Sequence, residues 1–261
     1  MQDWRPETME DKALELMERA RALLREANSV AVLTGAGISA ESGVPTFRGA
    51  GGLWKQFRAE DLATPEAFRR NPRLCWEWYD WRRSVLSQVQ PNAGHHALAR
   101  LERTKREFML ITQNVDGLHF AAGSDRVLEV HGSIWNLRCT ECGREWTDRS
   151  VRLELLPRCP ACDKLARPGV VWFGEQLNPN TWAAAERAAS SSDVFLVVGT
   201  SAMVYPAAGL APLARSAGAK VIEVNIEATP MSGLVDCALT GRAGEILPAI
   251  VSSDQEYGAG S

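Results

Sequence analysis

A short β-branched apolar run, Val30-Ala31-Val32-Leu33-Thr34, breaks into Gly35-Ala36-Gly37-Ile38-Ser39-Ala40, and this junction constrains the chain more than any other stretch. The run reads as a buried strand. The Gly-x-Gly-x-x-Ala that ends it reads as a turn carrying backbone N–H groups toward an anion. Glycine permits positive φ and lets the backbone approach a pyrophosphate with no Cβ in the way. A dehydrogenase unit continues through a helix to a second strand, with an acidic ribose ligand about 20 residues on. Here the next convincing strand is Phe108-Met109-Leu110-Ile111-Thr112, far downstream. Taken alone, the loop is either a dinucleotide cradle or a structural turn.

The elements around it alternate. Apolar spacing predicts an amphipathic helix over about 7–27, then the first strand. Helices are expected over 61–70, 72–89 and 95–106, with Gly49-Ala50-Gly51-Gly52 as a hinge-like run before them. Strands are expected at 108–112, 127–130, 170–173, 194–198 and 221–224. Between the later ones come helices at 181–190, 206–217 and 244–251. The tail 257–261 reads as disordered. Such alternation implies an α/β fold with a mostly parallel sheet. Ligands of such sheets bind outside the carboxyl ends of the strands. Polar residues gather there repeatedly: Gln113, Asn114 and Asp116; His131; Gly199, Thr200 and Ser201; Asn225, Ile226 and Glu227.

Residues 138–168 lose this periodicity and contain Cys139-x2-Cys142 and Cys159-x2-Cys162, with sixteen residues between the pairs. Two knuckles of soft thiolates suit a closed, tetrahedral and therefore structural zinc site. Cys75 and Cys237 read as core thiols. This usage, with no apolar leader and no run near the roughly 20 apolar residues of a membrane span, points to a reducing cytoplasmic setting. A net charge of −3 argues against non-specific nucleic-acid binding.

Three constellations stay open on the residues alone. His131 is either a base at a cleft or a satisfied structural histidine. Gln113-Asn114-x-Asp116 grips ribose hydroxyls and an amide, or caps the next helix. Tyr79 and Arg82, one turn apart, clamp a carboxylate, or belong to an aromatic core stripe with a solvated arginine.

The order of these segments decides among them. Gly35-Ala36-Gly37-Ile38-Ser39, Gly43-Val44-Pro45-Thr46-Phe47-Arg48, Thr112-Gln113-Asn114-Val115-Asp116-Gly117-Leu118-His119, His131-Gly132, the two Cys pairs, Val171-Trp172-Phe173-Gly174-Glu175, Gly199-Thr200-Ser201 and Val224-Asn225 follow one another over about 25–250. In that order they closely resemble the sirtuin family of NAD-dependent protein-lysine deacylases. The resemblance implies a Rossmann-like domain made of 1–46, 95–134 and 169–261. A smaller domain would combine a helical module (47–94) with a zinc-binding module (135–168). It implies that Gly35, Ala36, Gly37, Ser39, Thr46, Phe47, Arg48, Trp54 and Gln113 hold NAD, with Asn114 and Asp116 at its nicotinamide end. Gly199, Thr200, Ser201, Asn225, Ile226, Glu227 and Ala243 would bind the adenosine half. His131 would be the general base, with Asn114 and Asp116 also catalytic. Val171, Trp172, Phe173 and Gly174 would line the acyl-lysine peptide as a pairing strand edge. Nicotinamide and O-acyl-ADP-ribose would be the products. Tyr79 and Arg82 resemble the pair by which the desuccinylase subgroup grips an acidic acyl group, implying succinyl-, malonyl- and also acetyl-lysine substrates. Competing readings are mono-ADP-ribosyl transfer, a non-catalytic NAD and zinc module, and a dehydrogenase, which the missing early acidic ligand disfavours.

Overall fold

The computed structural model describes residues 9–45, 53–54, 57–153 and 156–251. Helix α1 (Met9–Glu26) leads into strand β1 (Ser29–Thr34), which runs into the five-residue helix α2 (Ala36–Ala40). A hairpin of β2 (Leu53–Trp54) and β3 (Phe57–Arg58) precedes α3 (Ala59–Leu62), α4 (Pro65–Arg70) and α5 (Pro72–Leu86). Helix α6 (Ala93–Thr104), β4 (Glu107–Thr112), α7 (Leu118–Ala121) and β5 (Val127–Glu129) follow. Three strands then build a separate antiparallel sheet: β6 (Gly132–Cys139), β7 (Glu145–Thr147) and β8 (Ala166–Val170). Alternation resumes with α8 (Pro179–Ser191), β9 (Val194–Val198), α9 (Leu210–Ser216), β10 (Lys220–Asn225), β11 (Cys237–Thr240) and α10 (Ala243–Val251).

The main sheet has six parallel strands in the order β11-β10-β9-β1-β4-β5. Its central strands β1 and β9 are buried nearly throughout, as a sheet covered on both faces requires. Alternate residues serve the two faces. Val30, Val32, Leu110, Leu196 and Val224 pack under α1, α6 and α10 with Leu24, Leu98 and Leu247. Ala31, Leu33, Ile111, Phe195 and Val221 pack with Ala185, Ala189 and Leu210 of the α8–α9 side. The sheet reverses order beside β1, which places the carboxyl ends of β1, β4 and β9 around one crevice.

A third core joins the α4–α5 helices to the antiparallel sheet, with Phe68, Trp76, Trp78, Tyr79 and Leu86 against Ile134, Trp135, Leu137, Ala166 and Trp172. Arg83 ties the two parts, donating to the carbonyls of Ile134 (2.8 Å) and Ser150 (3.0 Å) and to that of Asp148.

Several expectations shift. The helix expected over 61–70 is two helices, because Thr64 caps a new start with Pro65 at the first position. The helix expected from 206 opens as a 3-10 turn at Ala207–Gly209. The strand expected at 170–173 ends at Val170. Beyond it the chain turns, with Glu175 N–H on the Trp172 carbonyl (3.0 Å) and Gly174 at φ +84. Strand β11 has no counterpart in the sequence reading, since four residues on a sheet edge leave little periodicity. Cys75 and Cys237 are buried, as expected. The hinge-like run 49–52 and the tail 257–261 lie outside the described residues.

No helix among the described residues is long and apolar enough to cross a membrane.

Candidate active site at the carboxyl ends of the parallel strands

The glycine turn is locked to the turn that follows β9. Gly35 N–H donates to the Val198 carbonyl (3.0 Å) and Gly37 N–H to that of Gly199 (2.8 Å). A Cβ on Gly37 would sit 2.7 Å from Gly199 Cα, and one on Gly35 would sit 2.8 Å from the Gly199 oxygen. These glycines are therefore required for backbone to pass against backbone, apart from any ligand. Thr200, on the same turn, accepts from Gln113 Nε2 at its hydroxyl (3.0 Å) and from Asn225 Nδ2 at its carbonyl (2.9 Å). Gly35, Ala36, Gly37, Gln113, Gly199, Thr200, Ser201 and Asn225 are thus gathered at the ends of β1, β4, β9 and β10. Ile226 and Glu227 continue from β10 on the exposed surface, and Ala243 is buried at the start of α10. Thr46, Phe47, Arg48 and the side chain of Trp54 lie outside the described residues.

Under this turn is a buried polar cluster. Ser39 donates to Asp116 Oδ2 (2.8 Å) and accepts from Asn114 Nδ2 (3.2 Å), which also donates to the Gly35 carbonyl (3.0 Å). Asp116 Oδ1 accepts the Leu118 N–H (2.9 Å), the first N–H of α7, whose N-cap is Gly117. Burial pushes the Asp116 carboxyl above its usual range, opposed by those bonds and by the Arg82 charge. His95 was not among the expected site residues. Its Nδ1 accepts the Asn92 N–H (3.3 Å), which leaves Nε2–H to face Ser39 (3.4 Å). Burial holds His95 at about 4 and therefore neutral. The capping pair Asn92 and His95, three residues apart, is the signal that could have found it.

His131 stands after β5. Its Nδ1 lies 3.0 Å from the Gln113 carbonyl. A carbonyl only accepts, so Nδ1 carries the proton and Nε2 keeps its lone pair. Burial lowers the pKa of the ring, with the Gln113 bond opposing. Gly132 fixes the turn at φ +73, where a Cβ would fall 2.2 Å from the Gly169 oxygen. The His131 carbonyl accepts the Val171 N–H (2.8 Å), joining the base to the 171–174 segment. Nearby Glu129, also unforeseen, is pushed up to about 7 by burial and by the charge of Asp116.

Tyr79 is 1% exposed, within the aromatic core that joins α5 to the antiparallel sheet, and its phenol oxygen accepts from Trp172 Nε1 (2.8 Å). Burial drives that phenol above its normal pKa. Arg82 lies over the Trp78 ring at 5.1 Å, and its charge acts on both Tyr79 and Asp116. Val171 is half-buried, Trp172 buried, and Phe173 and Gly174 exposed.

The four cysteines meet as their spacing predicts, with every Sγ within 4.8 Å of the others. Cys139–Cys162 and Cys142–Cys159 are 3.5 and 3.6 Å apart. Tetrahedral zinc at the usual Zn–S length needs sulfur separations of about 3.8 Å, so the set fits a closed zinc site.

A Rossmann-like sheet with a polar crevice at its switch point, joined to a four-thiolate module, defines a dinucleotide-using enzyme stabilised by a structural metal. The model of the Sir2 family matches residues 35–206. An NAD-dependent protein deacylase 2 of Pyrobaculum aerophilum is 53% identical over 230 residues, covering 88% of this chain and 92% of that protein. A mutant Sir2 homologue in complex with 2′-O-acetyl-ADP-ribose superposes with a TM-score of 0.86 at 46% identity, over 90% of this chain and 94% of that one. A Sir2 homologue bound to NAD gives 0.86 at 45% identity, over 90% and 92%. The chain belongs to the Sir2 family.

Proposed function

We propose that this chain is an NAD-dependent protein-lysine deacylase that takes succinyl- and malonyl-lysine, and acetyl-lysine too, and works in the cytoplasm. Its small domain would be 47–94 with 135–168, and its NAD-binding domain the remainder. The observation that carries the reading is His131: its proton sits on Nδ1, so Nε2 is a ready base at the end of β5.

NAD, when bound, supplies an anomeric carbon with nicotinamide as leaving group, and the acyl oxygen of the substrate is the nucleophile. Gly35, Ala36 and Gly37, with Thr46, Phe47, Arg48 and Trp54, hold the pyrophosphate side. Gly199, Thr200, Ser201, Asn225, Ile226, Glu227 and Ala243 take the adenosine half. Gln113, Asn114 and Asp116 orient the nicotinamide ribose, supported by Ser39. His131 Nε2 takes the proton of the ribose hydroxyl. The acyl-lysine peptide lies along Val171, Trp172, Phe173 and Gly174, whose exposed Phe173 and Gly174 support a peptide-facing role. The four cysteines hold zinc, which leaves no coordination position for chemistry.

Arg82 supports the acidic acyl preference. Its charge acts on Asp116 as well as on Tyr79, which supports a guanidinium available to an anionic acyl group near the residues read as orienting the ribose. The Arg82→Met variant tests this with two peptides. Succinyl-lysine turnover is expected to drop about tenfold or more relative to acetyl-lysine turnover. Equal losses on both peptides would defeat the preference.

A further inference from the structure

Trp172 is held at its ring, its Nε1 and its backbone N–H. Its indole face lies 3.3 Å from the Arg167 guanidinium, measured to the ring centroid, and the Phe68 ring packs 5.2 Å away. Arg167, 8% exposed, donates through its two terminal nitrogens to the Glu175 carboxylate, at 2.5 and 2.9 Å, and to the Val170 carbonyl (2.9 Å). The same Glu175 accepts the Trp172 backbone N–H (2.8 Å). One carboxylate thus fixes the backbone of Trp172 directly and its ring through Arg167. Bidentate pairing of this kind sets geometry as well as charge.

The indole then acts on Tyr79. An indole N–H only donates, and a phenol oxygen has one proton to donate and two lone pairs. With Trp172 Nε1 donating at 2.8 Å, a lone pair of Tyr79 is taken and its own proton is left for another acceptor. Burial raises the pKa of the phenol, which favours its protonated form. A phenol so arranged favours an anionic acceptor.

We propose that Trp172 aims the Tyr79 hydroxyl as a donor at the carboxylate of an acidic acyl group, and that Arg167 and Glu175 are positioning residues that keep Trp172 in place for it. The proposal rests on the reading that Tyr79 and Arg82 grip that carboxylate, and it adds residues from β8 and the turn after it.

The test measures kcat and KM for zinc-loaded full-length enzyme on matched succinyl- and acetyl-lysine peptides, with NAD saturating. Trp172→Phe keeps an aromatic ring and removes the N–H. The succinyl-to-acetyl ratio of kcat/KM is expected to fall about tenfold, mainly through the succinyl KM. Arg167→Lys and Glu175→Gln are expected to lower the ratio about threefold, with the KM for NAD unmoved. Combining Trp172→Phe with Tyr79→Phe should be no worse than Tyr79→Phe alone, because the two share one interaction. A purely structural role would reduce both peptides in parallel and leave the ratio where it was. If Tyr79→Phe and Arg82→Met collapse the ratio while Trp172→Phe and Arg167→Lys leave it within twofold, the relay is refuted and the carboxylate grip stands. If none of the four moves the ratio, the grip itself fails and the relay with it.

Discussion

Two adjacent arginines on α5 are expected to behave as opposites. Arg83 is fully buried, with hydrogen bonds to the carbonyls of Ile134, Asp148 and Ser150 and an ion pair with Asp148 at 3.6 Å. Its guanidinium also covers the Trp135 ring at 5.0 Å. Arg83→Met keeps most of the stem volume and removes every donor. The Ile134 residue is 1% exposed, so its carbonyl is orphaned. Ser150 is exposed and Asp148 half-buried, so water replaces part of what they lose. One deep unpaired carbonyl plus partial losses elsewhere amounts to about 2–4 kcal/mol. For a chain of this size that is a fall in Tm of about 4–16 °C. Arg82→Met loses the contact with Trp78 and the charge acting on Tyr79 and Asp116, and is expected to change acyl preference more than Tm. Differential scanning calorimetry on zinc-loaded protein, paired with the two-peptide assay, separates them. Arg83→Met should fall in Tm with little change in acyl preference, and Arg82→Met should do the reverse. An Arg83→Met midpoint within 2 °C of wild type, by the scale of about 2–4 °C per kcal/mol, would refute its assignment as the tie between the modules.

Gly132→Ala adds a Cβ 2.2 Å from the Gly169 oxygen at φ +73, and is expected to cost about 2–5 kcal/mol and displace His131, read by calorimetry and by lost turnover. Acid titration should expose His95. Its folded pKa, about 4, lies below the unfolded imidazole value, so the unfolded chain binds the extra proton first and stability falls as pH drops from about 6.5 to about 4. In His95→Asn the slope of stability against pH over that window should be smaller by about 1.4 kcal/mol per unit, measured by urea melts at several pH values. Cys159→Ser should lose bound zinc by metal analysis and lower Tm, because three thiolates no longer close the site.

Much of this molecule is legible in its sequence, and the reasons differ by region. The β1 run and the glycine turn are local, continuous signals, and the two Cys pairs encode a metal geometry in their spacing. Long-range partnerships carry no such mark. Arg83 and Arg82 are neighbours in sequence, and only the fold shows which is buried against carbonyls. Arg167 and Glu175 matter through a tryptophan between them. His95 becomes part of the site because α6 starts beneath Ser39. The strand expected over 170–173 fails after Val170 because the Val171 and Phe173 N–H groups go to His131 and Ala63 rather than to a partner strand. Gly35 and Gly37 were legible as glycines with a purpose. That they are needed against Gly199 emerges only when β9 lies beside β1.

A deacylase is distinguished from an ADP-ribosyl transferase by where the ADP-ribose goes. Enzyme, a succinyl-lysine peptide and NAD labelled in its adenosine half should give equal amounts of free lysine peptide, nicotinamide and a labelled small-molecule O-succinyl-ADP-ribose, resolved by liquid chromatography and mass spectrometry. His131→Tyr should abolish all three while retaining zinc and fold. Label carried on protein, with the peptide still succinylated, would contradict deacylation and assign the site to ADP-ribosyl transfer.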